Sequence, residues 1–290
     1  MGAMLCGSLL LAPSSYGAPA QEGEIKAGAY PITKRIQYGF TLENSRGQVL
    51  KNAKFWTYAP VRQTPTQKVS KITASQPYQL TVDELGNQVL LFEFGTLPPN
   101  GSKEISIRVE LDMADQPNPW PEKSLGLFLQ NEQYIESDDF RIVNLANSLI
   151  QGSGTDTAKR IFSWIASNVQ SIEYIPDDRG ALYALEHKSG DCTEFAYLFA
   201  ALSRANSLPA RAVGGYVMTE SGILKAAEYH NWAEFYTDGT WRLADAQKRV
   251  FATNSSKYVA MRIISKNVTN ALGDAHRYKT AGEGLKVTTR

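Results

Sequence analysis

Hydrophobic and polar residues alternate along the first third of the chain. Ile36, Tyr38, Phe40 and Leu42 interleave with Arg35, Gln37, Gly39 and Thr41, and Ile105, Ile107, Val109 and Leu111 interleave with Ser106, Arg108 and Glu110. A period of two puts one face of a strand in a core and the other in water, so half-buried strands are predicted here. Turn-forming stretches at 44–47 (NSRG), 84–87 (ELGN) and 98–102 (PPNGS) separate them, at intervals that suit an antiparallel β-sandwich over residues 21–113. Pro117, Pro119 and Pro121 then mark residues 114–134 as a linker. Beyond it the period lengthens. Apolar residues three and four apart predict helices at 138–150 and 156–169, the second through Ile161, Phe162, Ile165 and Val169, with Trp164 packing against the core. A short helix at 181–187 precedes a longer one, and strands follow at 210–217, 228–237 and 240–246. Helices first and strands after indicate an α+β domain, at 135–272, rather than a doubly wound one. Residues 273–290 read as a polar C-terminal tail, and no repeat or catalytic cluster stands out in the β-rich region.

Composition narrows the functional classes. With 290 residues, 43% of them hydrophobic, the chain can bury two cores without disulfides. Thirty Lys and Arg nearly balance 29 Asp and Glu, with no basic block to follow a phosphate backbone or an anionic membrane, which argues against a nucleic-acid partner. Residues 1–20 differ from the rest: the apolar run MLCGSLLLA is followed by Ala18-Pro19-Ala20, like the hydrophobic and cleavage regions of a secretory signal. Such a run is too short to cross a bilayer. Export to the periplasm or the medium, with no stable membrane insertion of the mature protein, is therefore expected. Cys6 stands too near the first residue for a lipid anchor. Cleavage after Ala20 would leave Cys192 unpaired, and an odd cysteine in an exported protein means an intermolecular bridge or a reactive thiol.

The surroundings of Cys192 favour chemistry, although a small buried structural cysteine fits the local pattern as well. Asp191 and Glu194 have capping-box spacing, and Phe195, Leu198, Phe199 and Leu202 form an apolar stripe behind them, so Cys192 is predicted to be the first helical residue. Unpaired N–H groups and the dipole at that position would lower the thiol pKa, and the N–H of Cys192 could hold an oxyanion. A nucleophilic thiol needs a base. Of the three histidines, His276 falls in the polar tail and His187 at the end of a short helix, both expected to be solvated. His230 lies in a predicted hairpin turning at Asp238-Gly239. With Thr237 opposite Thr240, Trp232 faces Asp245 and His230 faces Gln247. His230 and Asp245 are then diagonal neighbours on one sheet face, about 7–8 Å apart at the backbone, within reach of a side-chain bond. Each has an innocent reading, as a satisfied strand histidine and a turn-capping aspartate; together with Cys192 they match an activated nucleophile. One cysteine and one nearby histidine fall short of a zinc shell, so no metal or cofactor is expected.

The stretches GDCTEFAYLFAALSRANSLPARAVGGYV, HNWAEFY and WRLADAQ together resemble the transglutaminase-like superfamily across residues 135–250, in the family's order. The resemblance implies a papain-like α+β core behind an N-terminal β domain. It also implies Cys192 as nucleophile, His230 as general base and acid, Asp245 as the orienting acid, and Tyr174 as the candidate second oxyanion donor. Two departures stand out: Asp245-Ala246-Gln247 replaces the family's usual Asp-Pro-Thr, and Asp191 separates Gly190 from the cysteine. The implied activity is acyl transfer through a thioester on a peptide, protein or amide substrate, released to water or to an amine acceptor. A noncatalytic peptide- or protein-binding module that kept the fold is the alternative, and a thiol-exchange site a third reading that leaves His230 without a role.

Overall fold

The period-two segments pair as strands. The computed structural model describes residues 30–121, 123 and 125–290, so the leader-like segment 1–20 and Cys6 lie outside the described residues. Ile32–Asn44 pairs antiparallel with Ser102–Met113, which pairs in turn with Gln67–Ala74. A second sheet is built from Leu50–Ala59, Gln88–Leu97 and Gln79–Val82. The alternation read from the sequence is the alternation of burial: Ile36, Tyr38, Phe40 and Leu42, with Ile105, Ile107, Val109 and Leu111, face a core shared with Phe55 and Phe92. The result is an antiparallel sandwich ahead of an α+β region.

In that region four helices lie close to their predicted places: α1 Phe140–Ser148, α2 Gly154–Asn168, α3 Gly180–His187 and α4 Cys192–Ala205. Asp139, Ser153 and Asp191 accept backbone N–H bonds at the starts of α1, α2 and α4, satisfying donors that a helix start leaves unpaired. The helices cover one face of an antiparallel sheet in the order 250–251, 240–245, 229–237, 210–217, 258–264. Helix α4 sits centrally, buried along nearly its whole length, with Phe199 against Phe235 of the sheet. Trp232, Trp241, Tyr258 and Val213 occupy the sheet's other face, with Val61 and Phe128 from the sandwich and the segment after it. Burial on both faces explains why these strands lack the clean alternation of the sandwich.

The expected polar tail is a correction. Residues 278–281 pair with the strand Leu50–Ala59, and 285–289 pair with Ile32–Asn44, so the chain returns to complete both sheets of the sandwich. Tyr278 packs against Phe40 and Phe55, at ring-centroid distances of 5.7 and 5.8 Å. Short edge strands with one half-buried face carry too few apolar residues to show a period, which is why composition alone reads them as a tail. Gly222–Ile223, from the α+β region, also joins Ile32–Asn44, in parallel. The proline-rich segment 114–121 is tied down rather than free: the carbonyls of Asn118 and Trp120 accept the hydroxyls of Thr240 and Tyr236. Among the described residues no helix is long and apolar enough to cross a membrane.

Candidate active site

Cys192 is the first residue of α4, as the capping pattern requires. The Asp191 carboxylate accepts the N–H of Thr193 at 2.7 Å and that of Ile175 at 2.9 Å, and Glu194 reaches back to the N–H of Asp191 at 3.1 Å. The N–H of Cys192 has no acceptor among the described residues, leaving one donor of the first turn unused. Glu194 is fully buried and also accepts the N–H of Arg179 at 3.0 Å. Burial, together with the charge of Asp191, pushes its carboxyl up to about 7.

The expected lowering of the thiol pKa is overturned. Burial, with the Asp191 charge behind it, pushes Cys192 up to about 11, against hydrogen bonds from the Asn231 backbone N–H and Thr193. Desolvation of a thiolate beside a carboxylate outweighs those two hydrogen bonds. Near neutral pH the group is a thiol, so any attack by this sulfur needs a base to take its proton.

The hairpin register holds: Thr237 pairs with Thr240 and Ala233 with Ala244. His230 Nε2 lies 2.7 Å from Asp245 Oδ2, and both side chains are buried. A carboxylate accepts, so Nε2 is the donating nitrogen and Nδ1 is left to other partners. The hydrogen bond from Asn231 to the Cys192 sulfur brings the residue next to His230 into contact with the thiol, and Cys192 and His230 line one cleft of about 650 Å³. Asn231 also donates its side-chain amide to Thr193 Oγ1 at 2.8 Å, tying this strand to the start of α4. Gly214 and Gly215 lie opposite Asn231 and His230 on the next strand. A Cβ at Gly214 would stand 2.1 Å from the Tyr229 hydroxyl, and one at Gly215 2.0 Å from the Val259 carbonyl, so neither position has room for a side chain.

Two contributors escaped the sequence reading. The Tyr258 hydroxyl donates to Asp245 Oδ2 at 2.9 Å, the same oxygen that holds His230. Burial and the adjacent carboxylate raise the Tyr258 pKa far above its ordinary value, so it stays a donor. Tyr258 also stands edge-on to Trp232, whose ring lies beside that of His230. No motif links residue 258 to residue 245, so this contact had no signal in the chain. The second contributor is His276. Far from being solvated in a tail, it lines the cleft with Nε2 3.2 Å from Asp178 Oδ1, and Tyr197 donates to Asp178 Oδ2 at 2.9 Å. His187 is exposed, as expected. Tyr174 lines the cleft too, but on its rim, 78% exposed, where its hydroxyl makes no hydrogen bond within the described residues. No group of three or more His, Cys, Asp or Glu able to hold a metal occurs among the described residues.

Comparisons with known proteins agree with this architecture. No curated protein matches the chain. The family profile described as the transglutaminase-like superfamily matches residues 143–246. A solved structure from Cytophaga hutchinsonii, described as a candidate cysteine protease, is similar with a TM-score of 0.58 at 18% identity, over 89% of this chain and 92% of that one. The periplasmic domain of TgpA from Pseudomonas aeruginosa, bound to ethylmercury, gives a TM-score of 0.39 at 14% identity, over 77% of this chain and 92% of that one. At such identity the first likeness speaks for the fold, sandwich included, and the profile speaks for the core alone: residues 143–246 of this chain match the transglutaminase-like superfamily.

Proposed function

We propose that this protein catalyses thiol-dependent acyl transfer on a peptide or protein carboxamide, with Cys192 as nucleophile, His230 as base and acid, and Asp245 holding the imidazole. The observation that carries this reading is the buried His230 Nε2 to Asp245 Oδ2 bond, set beside a thiol that the next residue already touches. A carboxylate on Nε2 fixes the tautomer in which Nδ1 is the basic nitrogen and stabilises the imidazolium once formed. As the sulfur attacks the acyl carbon, Nδ1 takes the thiol proton. When the carbon–nitrogen bond breaks, Nδ1–H returns that proton to the departing ammonia or amine, leaving a thioester. Water or an amine then attacks, gives a proton to Nδ1, and the sulfur leaves and is reprotonated. The unused N–H of Cys192 supports an oxyanion in both halves. Tyr174 is the second donor we assign, swinging in from the rim over a bound substrate. Water is always present in an open cleft, so hydrolysis is the default outcome and transfer to an amine its competitor. The leader-like pattern of residues 1–20 supports an exported site of action, periplasmic or secreted.

The test is incubation with a library of glutaminyl and amidated peptides, with and without a primary amine, the products being read by mass spectrometry. Turnover is expected from the native chain and none from Cys192→Ala, whose melting temperature should stay within a few degrees. Turnover that survives Cys192→Ala, or a native chain that transforms no carboxamide while binding such peptides, would remove the enzyme reading and leave the binding module.

A further inference from the structure

We propose that the cleft beside Cys192 carries an anion-recognising subsite centred on Arg277, and that the substrate presents a carboxylate next to the acyl group that reacts. This deepens the acyl-transfer reading and rests on it for the identity of the reacting group.

The observation is a guanidinium held in place without a counter-ion. Arg277 lines the same cleft as Cys192 and His230. Its Nη1 donates to the Ala226 carbonyl at 2.9 Å, and its guanidinium carbon lies 5.6 Å from the centre of the Tyr229 ring. Among the described residues no carboxylate comes within 4 Å of it. The carboxylates that share the cleft are otherwise engaged: Asp178 pairs with His276, Asp191 caps α4, and Glu228 pairs with Lys225 at 3.7 Å. A guanidinium offers five donors in a planar fork, of which the Ala226 carbonyl takes one and the Tyr216 hydroxyl another, and the donors that remain suit a carboxylate.

The backbone that delivers Arg277 is fixed on both sides. The Arg277 carbonyl accepts the Thr57 hydroxyl at 3.0 Å and the Tyr58 N–H at 3.4 Å, both from the sandwich, and the His276 carbonyl accepts the Tyr229 hydroxyl at 3.4 Å. The ion pair between His276 and Asp178 ties the same segment to the loop ahead of α3. A cation fixed before its ligand arrives loses less entropy on binding, which raises its selectivity. This arrangement also gives the sandwich a function: it holds the returning chain so that one wall of the cleft is built from residues beyond the α+β region.

The test compares three peptides of one sequence around a glutamine: a neutral amidated peptide, one with a glutamate beside the glutamine, and one ending in a free carboxylate. Binding to the Cys192→Ala chain is measured by calorimetry, so the result does not depend on turnover. At least one anionic peptide should bind about tenfold more tightly than the neutral one, the size of one charge-assisted pair. The two anionic arms tell a side-chain carboxylate from a terminal one. In the double variant with Arg277→Gln the ratio should collapse to within about twofold, and Arg277→Lys should restore part of it. Equal binding of all three peptides by the Cys192→Ala chain, or a preference that survives Arg277→Gln, overturns the subsite. Loss of turnover with the preference intact would count against the acyl-transfer chemistry and not against the subsite.

Discussion

Two histidines line the cleft, and each is joined to a carboxylate that also accepts a tyrosine hydroxyl. In one set His230 and Tyr258 converge on a single oxygen of Asp245; in the other His276 and Tyr197 take separate oxygens of Asp178. The side chains of the first pair are 7% and 1% exposed and those of the second 37% and 12%. That difference separates what each can do. A sealed pair sits where water is scarce, so its hydrogen bond is strong and its ring orientation fixed. An open pair exchanges with solvent, is screened, and serves better as a tie between two parts of the chain than as a proton carrier. Position in the fold reinforces this: His230 lies one residue from the contact with the Cys192 sulfur, whereas His276 belongs to the segment pinned to the sandwich.

The comparison breaks most visibly if the two histidines prove interchangeable. His230→Ala should lower kcat/KM by at least about 10³-fold, while His276→Gln should leave kcat within a few fold and act on KM. Equal losses in steady-state kinetics would mean that the open pair takes part in the chemistry. Next in size, Asp245→Asn should cost about 10²-fold or more in kcat, since an amide can offer Nε2 a donor and favour the wrong tautomer; Asp178→Asn should cost far less. Tyr258→Phe is expected to lower kcat a few fold with KM unchanged, because the Asp245 oxygen loses one of the two donors that hold it in line. A parallel change in KM and melting temperature would assign Tyr258 to packing alone.

The smallest effects concern the start of α4. Alkylation of Cys192 by iodoacetamide should be slow at neutral pH and climb toward pH 11, and Asp191→Asn should shift that rise to lower pH by removing the charge while keeping a capping oxygen. An alkylation rate already at its plateau near pH 7 would contradict the thiol resting state. Glu194 gives a stability signature. Its folded pKa is raised, so the native state keeps a proton that the unfolded chain has released; stability is fully present below about 4.5 and falls as pH rises through about 7. Glu194→Gln should flatten that part of the melting-temperature profile.

The chain by itself determined a good deal: the alternating strands of the sandwich, four helices to within a few residues, and the joining of His230 to Asp245. Those follow from rules that act over short separations, the period of a helix or strand, the geometry of a cap, and a two-residue turn that sets a register. Only the tertiary structure decided the rest. Tyr258 reaches Asp245, Asn231 reaches Cys192, and residues 276–277 return to the cleft through contacts that no local period encodes. The direction of the Cys192 shift was decided in the same way, since a helix terminus is legible in a few residues, whereas the water removed from a sulfur depends on every segment packed around it.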